Sequence, residues 1–329
     1  MTDGALPLAE GDSGTHVTDL QLRLGTLNLG PLLDAPGFFG PSTRGLVEQF
    51  QRLRGLRIDG VVGQNTWSTL VEAGLHLGSR MLYRSHPMLR GDDVAELQSR
   101  LCSLGFDTGR VDGIFGDQTT HALVEFQRNL GLATDAMAGP ATVNELVRVS
   151  ARHTDTQLVS SVREREERRS SPATLENRHL GIGEIGGLGT LAAGLTRLLG
   201  QAGARVSVLH RPDDSGQAAE ANDSGVEAYL GLRLNPSTKV ASCAYYSGYS
   251  YESGPGRELA EALSVRLRPL VGSGVETIGM SVAVLRETRM PAVLLELGPT
   301  EFVVEHSGAL AEAVAGALVH WAESAGSPQ

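Results

Sequence analysis

The sequence predicts two small all-helical domains in tandem, followed by an α/β domain with a mainly parallel sheet. Three observations predict it. A set of matched residues recurs between 14–70 and 91–146, and the chain turns strongly charged from about Arg148 to Asn177. Residues 178–324 then alternate short apolar runs with helical periodicity. The expected boundaries are 8–74 and 86–148 for the two copies, 149–177 for a charged linker, and 178–324 for the α/β domain.

The copies correspond residue by residue. Gly14, Val17, Leu20, Gln21, Arg23, Leu24 and Leu27 match Gly91, Val94, Leu97, Gln98, Arg100, Leu101 and Leu104. Phe39-Gly40, Thr43, Phe50-Gln51, Asp59, Gly63, Thr66 and Leu70 match Phe115-Gly116, Thr119, Phe126-Gln127, Asp135, Gly139, Thr142 and Leu146. A repeat this long marks two copies of one domain rather than a short solenoid unit. In the second copy Val94, Leu97, Leu101 and Leu104 fall at helical spacing, a stripe that one helix buries. Asp112-Gly113 signals a turn, and Asp117 is placed to cap a second helix bearing Ala122, Leu123 and Phe126. Gly139-Pro140 precedes a third helix with Val143, Leu146 and Val147. Cys102 lies on the first of these helices and reads as a small core residue.

In the linker, Arg163–Arg169 mixes both signs of charge and leads into Ser170-Ser171-Pro172, as expected of a solvated helix or a hinge. Beyond it, 206–209, 227–232, 243–246, 281–285 and 292–295 read as strands. Leu188–Leu199, Arg257–Arg268 and Leu310–Trp321 read as helices, the last with Leu310, Val314, Leu318 and Trp321 on one face. The alternation implies an α/β sandwich.

Gly181, Gly183 and Gly186 match the dinucleotide fingerprint GxGxxG. That motif requires a buried strand directly before the glycines, so that the turn presents its amides to a pyrophosphate. Here Glu176-Asn177-Arg178-His179-Leu180 precedes them, too polar and short for that strand. A dinucleotide-binding enzyme is therefore the weakest of the functional readings.

The segments DVAELQSRL and GIFGDQTTHALVEFQRNLGL and the ending Thr142-Val143-x-x-Leu146 resemble the peptidoglycan-binding domain that accompanies many cell-wall hydrolases. The resemblance implies a compact three-helix fold with a groove for wall glycopeptide; the motif does not identify the ligand-contacting residues. In the last domain the stretch Leu285–Gly298, with the strand ends at His210-Arg211-Pro212 and Gly231–Asn235, resembles the zinc-dependent N-acetylmuramoyl-L-alanine amidase domain. The combination is similar to the actinobacterial CwlM-type group, which is associated with regulation of cytoplasmic peptidoglycan-precursor synthesis.

In that amidase family, two histidines and a glutamate hold zinc, which activates water against the lactyl–L-alanine amide, and a second glutamate is the general base. The resemblance places Glu184 on the metal-ligand glutamate, at the head of its helix, and Glu296 on the catalytic glutamate. The first histidine belongs to a strand-plus-glycine motif of the form D-P-G-H-G-G before Glu184. No such strand is expected here, so the domain reads as truncated at its first strand. The second histidine belongs to a motif of the form S-I-H-x-N, and Arg233 stands in its place. Arginine keeps its proton and offers no lone pair, so it cannot be a metal ligand. His179 and His210, the histidines nearest in sequence, read as ordinary polar residues. The guanidinium of Arg233 is expected to replace the cation and pair with Glu184 or Glu296.

The 329-residue chain carries a net charge of −10 with a pI near 5.4, which argues against general binding to nucleic acid or to anionic membranes. Two cysteines exclude a disulfide framework or a multi-cysteine zinc site. The acidic start MTDGALPLAEGDSG lacks the features of a secretory signal, and no apolar run reaches bilayer length. The expectation is a cytoplasmic protein, at most peripheral to the inner membrane face. It would bind peptidoglycan fragments or lipid-linked precursors, with no resident cofactor and with a precursor-synthesis enzyme as a further partner. On this reading it is a non-catalytic amidase homologue that regulates or scaffolds wall synthesis; the alternative is an active zinc amidase.

Overall fold

The computed structural model describes residues 6–151, 166, 168, 173–235, 241–248 and 251–326. Most of the Arg163–Arg169 run and the Ser170–Pro172 stretch lie outside the described residues; Glu166 and Arg168 are within them. The chain divides into two compact units, Met1–Ser160 with Gly248–Tyr251, and Ser161–Ser247 with Glu252–Gln329.

The first unit holds both copies of the repeat. Helices α1 (Thr15–Thr26), α2 (Pro41–Leu53) and α3 (Gln64–Ala73) form one copy, and α4 (Asp92–Ser103), α5 (Asp117–Asn129) and α6 (Pro140–Ser150) form the other. Each closes its own core, around Val17, Leu20, Leu24, Phe39, Phe50 and Leu70 in the first and around Val94, Leu97, Leu101, Phe115, Phe126 and Leu146 in the second. Gly14 and Gly91, the residues that open α1 and α4, have φ of 133° and 151°, where a side chain would be strained. Cys102 is buried, as its helical stripe predicts.

The repeated polar residues have a common job. Gln98 on α4 is 1% exposed. Its Nε2 donates to Asp112 Oδ1 at 2.9 Å, to the Ile114 carbonyl at 3.1 Å and to Thr119 Oγ1 at 3.0 Å. Its Oε1 accepts from Gly113 N at 2.8 Å. Gln21 binds the Phe38 carbonyl, Thr43 and Gly37 N in the same way. Gln51 and Gln127 repeat the device one helix later, reaching Asp59 and Thr66, and Asp135 and Thr142. Each glutamine satisfies the turn that follows its helix and ties it to the next helix, so backbone groups that leave regular structure stay paired. Between the copies, Arg54 makes a bidentate pair with Asp92 at 2.9 and 2.7 Å, with both side chains largely covered.

The second unit is a six-stranded sheet with helices on both faces. In chain order it contains β1 (His179–Glu184), α7 (Gly189–Gln201), β2 (Arg205–Leu209), α8 (Asp214–Ser224), β3 (Ala228–Leu234) and β4 (Ala241–Tyr246). It continues with α9 (Gly254–Val271), β5 (Val275–Met280), α10 (Ala283–Glu287), β6 (Ala292–Leu297), α11 (Thr300–Glu305) and α12 (Ser307–Glu323). The strand order is β2-β1-β3-β6-β4-β5, parallel except where β4 meets β6. Helices α7, α9 and α12 pack Leu195, Leu263, Val314 and Trp321 against Leu180, Ile182, Leu230 and Leu295. Helix α8 and the short α10 cover the other face.

Two expectations are corrected. Ser281–Leu285 is not a strand; Ala283–Glu287 is helical, and the strand lies just before it at Val275–Met280. A short apolar run has no periodicity to separate the two conformations. The domain is also not truncated at its first strand. His179–Glu184 is that strand, paired on one side with β2 and on the other with β3. Glycine weakens the strand signal, and here two glycines sit inside it. Gly183 is there for Tyr229 on β3, and Gly181 allows the close approach of Val226. A Cβ on Gly183 would collide with the Tyr229 hydroxyl and with Gln217 Oε1, and one on Gly231 would come within 2.9 Å of Leu294 Cδ1. The buried Tyr229 hydroxyl donates to Gln217 Oε1 on α8, and burial pushes its pKa upward. Gly181 and Gly183 are thus packing positions in a strand rather than a phosphate loop.

Two outcomes follow for stability. Gln98→Leu leaves Gly113 N, Thr119 and the Ile114 carbonyl without their buried partner, and is expected to cost about 2–3 kcal/mol in urea unfolding of the repeat. Gly183→Ala overpacks the Tyr229–Gln217 contact and is expected to lose about 1–3 kcal/mol. Under a nucleotide-site reading, Gly183→Ala would instead fold normally, so an unchanged unfolding midpoint would refute the packing role.

Candidate functional site

β1, β3 and β6 run in one direction, so Glu184, Arg233 and Glu296 all come to the carboxyl ends of adjacent strands. That edge is where open α/β sheets bind ligands. The pleat then separates them. Glu184 is in register with Leu232, and register partners share a face, whereas Arg233 is in register with Glu296. Glu184 therefore leaves the sheet on the α7 side and Arg233 and Glu296 on the α8 side.

Glu184 closes β1, and the helix begins only at Gly189, which corrects its expected place at the head of a helix. Its Oε1 accepts from Gly186 N at 2.7 Å and Leu188 N at 2.9 Å. The carboxylate thereby satisfies amides in the turn leading into α7, where a helix N-terminus favours negative charge. The strand-plus-glycine element expected ahead of Glu184 is the segment that contains it, Gly183-Glu184-Ile185-Gly186-Gly187, and it carries no histidine.

Arg233 has two acidic neighbours on its face. Its Nη2 donates to Asp214 Oδ1 at 2.7 Å, and its Nη1 lies 3.9 Å from Glu296 Oε1. The three side chains are between 15% and 31% exposed, so the cluster is only partly screened by water. Asp214 was missed by the sequence reading. It is the first residue of α8, whose start is fixed by the Asp213 side chain accepting from Gly216 N at 2.8 Å. The signal was available: an Asp-Asp-Ser-Gly stretch three residues after a strand is a helix N-cap pattern, and it falls at the ligand-binding edge.

The Leu285–Gly298 stretch delivers Glu296. Asn222, near the end of α8, clamps the turn before β6, donating to the Glu287 carbonyl at 2.9 Å and accepting from Arg289 N at 2.9 Å. Ser215 on the same helix reaches Glu287 Oε1 at 3.2 Å. Helix α8 thus holds both the strand start and the acidic partner of Arg233.

The histidines stand elsewhere. His179 begins β1, at the opposite end of the strand from Glu184, and its Nε2 lies 2.8 Å from Ser207 Oγ. His210 is exposed just after β2, with β1 between β2 and β3. Cys243 is buried on β4, with its pKa pushed up to about 12 by burial, so it stays a neutral thiol. Among the described residues no group of three or more His, Cys, Asp and Glu side chains is close enough to hold a metal ion. A guanidinium sits between the carboxylates, and Glu184 faces away. This donor set does not fit zinc, which needs several lone-pair ligands converging on one point.

Comparison with known proteins bears on both halves. The family model described as "Putative peptidoglycan binding domain" matches residues 13–70 and 90–146. The chain is 36% identical over 283 residues to the N-acetylmuramoyl-L-alanine amidase CwlM of Mycobacterium tuberculosis, covering 77% of this chain and 70% of that protein. It is 29% identical over 160 residues to the N-acetylmuramoyl-L-alanine amidase CwlL of Bacillus licheniformis, covering 42% of this chain and 44% of that one. Among solved structures, the N-acetylmuramyl-L-alanine amidase Ami1 of Mycobacterium smegmatis matches with a TM-score of 0.41 at 14% identity, over 46% of this chain and 99% of Ami1. With similarity to CwlM extending over more than two thirds of that protein, and peptidoglycan-binding matches on both repeats, the chain belongs to the CwlM-type family of peptidoglycan-binding proteins with an amidase-like domain.

Proposed function

We propose that the chain binds peptidoglycan fragments or lipid-linked wall precursors through its repeats, and that its amidase-like domain regulates or scaffolds wall synthesis without cutting. The observation that carries the second half is Arg233, held at 2.7 Å by Asp214 and facing Glu296 where the family's amidases are expected to place a metal-binding histidine. A zinc amidase needs an open coordination position and a hydroxide beside a free carboxylate. Here the position is filled by a cation that is part of the protein. The guanidinium offsets one of the two carboxylate charges and fills that edge of the sheet with donors, which keeps it closed to metal. No helix among the described residues is long and apolar enough to cross a membrane. In this reading the protein works in the cytoplasm, at most peripheral to the inner membrane face, and an enzyme of precursor synthesis is its partner.

Zinc content measured on the purified chain, beside digestion of a muropeptide, tests the reading. The expected result is less than stoichiometric zinc and no released stem peptide, together with retention of the chain on purified peptidoglycan sacculi. Bound zinc with released stem peptide would establish the amidase alternative.

Arg233→His, which restores the histidine, is expected to yield neither zinc binding nor hydrolysis, because Glu184 remains on the other face of the sheet. Arg233→Ala removes the bridge between Asp214 and Glu296 and is expected to destabilise the unit by about 1–2 kcal/mol, less than a fully buried pair would lose. Denaturant titration of both variants checks this.

A further inference from the structure

The opposite ends of the same strands carry a second constellation. Arg178 directly precedes β1, Glu227 precedes β3 and Pro291 precedes β6. Together with Arg168, Arg289 and Trp321 they line a cavity of about 350 Å³. Arg168 and Arg178 are buried, with side chains 6% and 4% exposed. Both guanidiniums lie over the Trp321 ring, at 4.2 and 5.3 Å from its centroid. Two like charges on one buried indole are costly, because cation–π attraction offsets only a small part of their desolvation, and each has beside it only one half-exposed carboxylate. Burial first, and then the Arg178 charge, lower the pKa of Arg168 from its ordinary value.

The hydrogen-bond accounting gives the sign of what is missing. Arg168 Nη1, Arg178 Nη1 and Trp321 Nε1 are buried without an acceptor, and Arg168 Nε has only the long contact to Glu258. All of these atoms are donors, so their missing partner is an acceptor. The nearby carboxylates approach from the solvent side. Glu227 Oε2 is 3.1 Å from Arg178 Nε, and Glu258 Oε2 is 3.4 Å from Arg168 Nε, with side chains 41% and 50% exposed. Glu227 Oε1 is already committed to His179 N at 3.1 Å. Arg289, on the exposed turn before β6, adds a third positive charge to the lining.

We propose that this cavity binds a small phosphate monoester, its phosphoryl group taken by Arg168, Arg178 and Arg289 with the Trp321 indole N–H, and its organic part lying in the remaining space. A monoester carries close to two negative charges at neutral pH and directs acceptor oxygens tetrahedrally, which suits donors converging from several elements. A carboxylate supplies one charge in one plane. The volume suits a phosphorylated small molecule. The site is separate from the Arg233 cluster and does not depend on how that cluster functions.

Calorimetric titration of the full chain with phenyl phosphate, inorganic phosphate and acetate at constant ionic strength tests the proposal. Phenyl phosphate is expected to bind saturably, inorganic phosphate more weakly and acetate not at all. Arg289→Ala, an exposed change that leaves the fold intact, is expected to weaken phenyl phosphate about tenfold, the scale of one charge-assisted contact. Arg178→Gln is expected to abolish binding in a chain whose circular dichroism is unchanged. Absence of saturable phenyl phosphate binding, equal binding of acetate, or an unchanged affinity in Arg289→Ala would overturn the proposal. Equal affinities for inorganic phosphate and phenyl phosphate would overturn the assignment to an ester.

Discussion

The parallel register of β1, β3 and β6 is the constraint on which the second unit depends. Because these strands point the same way, residues far apart in sequence are sorted to two edges of the sheet. Glu184, Arg233 and Glu296 go to one edge, and Arg178, Glu227 and Pro291 to the other. The pleat sorts them again, to opposite faces. The register itself rests on close approach between β1 and β3, where Gly183 leaves room for the Tyr229 ring and hydroxyl. Tyr229 in turn anchors Gln217 on α8, and the head of that helix carries Asp214 to Arg233. A missing side chain on one strand thus decides which acid meets an arginine on the neighbouring strand.

The chemistry at the Arg233 edge follows from charge balance. A metal site of this kind gathers lone pairs around a doubly charged ion and keeps one position open for water. Arg233 brings its own charge and presents only donors. Asp214 takes the short hydrogen bond and Glu296 the longer electrostatic contact, so the repulsion between the two acids is relieved from within. Glu184 spends its carboxylate on the amides ahead of α7 and contributes to the entry into that helix. The scaffold of an amidase-like domain can therefore remain intact while its acidic residues serve the fold.

In the repeats the controlling feature is polar. Small three-helix domains have little core with which to hold their connections, and each copy uses buried glutamines to fasten a turn to the next helix. This accounts for why glutamine, threonine and aspartate recur at matched positions beside the leucines and phenylalanines. Arg54 and Asp92 then join one copy to the next across a short connection.

Much of the fold was legible in the residues alone, because periodicity and repetition are local. The leucine stripes of α1 and α4, the order of the two repeats and the later strands β2, β3, β4 and β6 all follow from spacing. Strand β1 was not legible, since its glycines suppress the strand signal and their purpose, the Tyr229 ring, comes from another strand. The partners of Arg233 were not legible either. Whether two acids share a face with it depends on register and pleat, which no single strand encodes. The orphaned donors around Trp321 come from segments more than a hundred residues apart, and only the packing of α12 against the start of β1 brings them together. Sequence determined which groups are present; tertiary structure decided which of them meet, because contact across a sheet is set by pairing rather than by order along the chain.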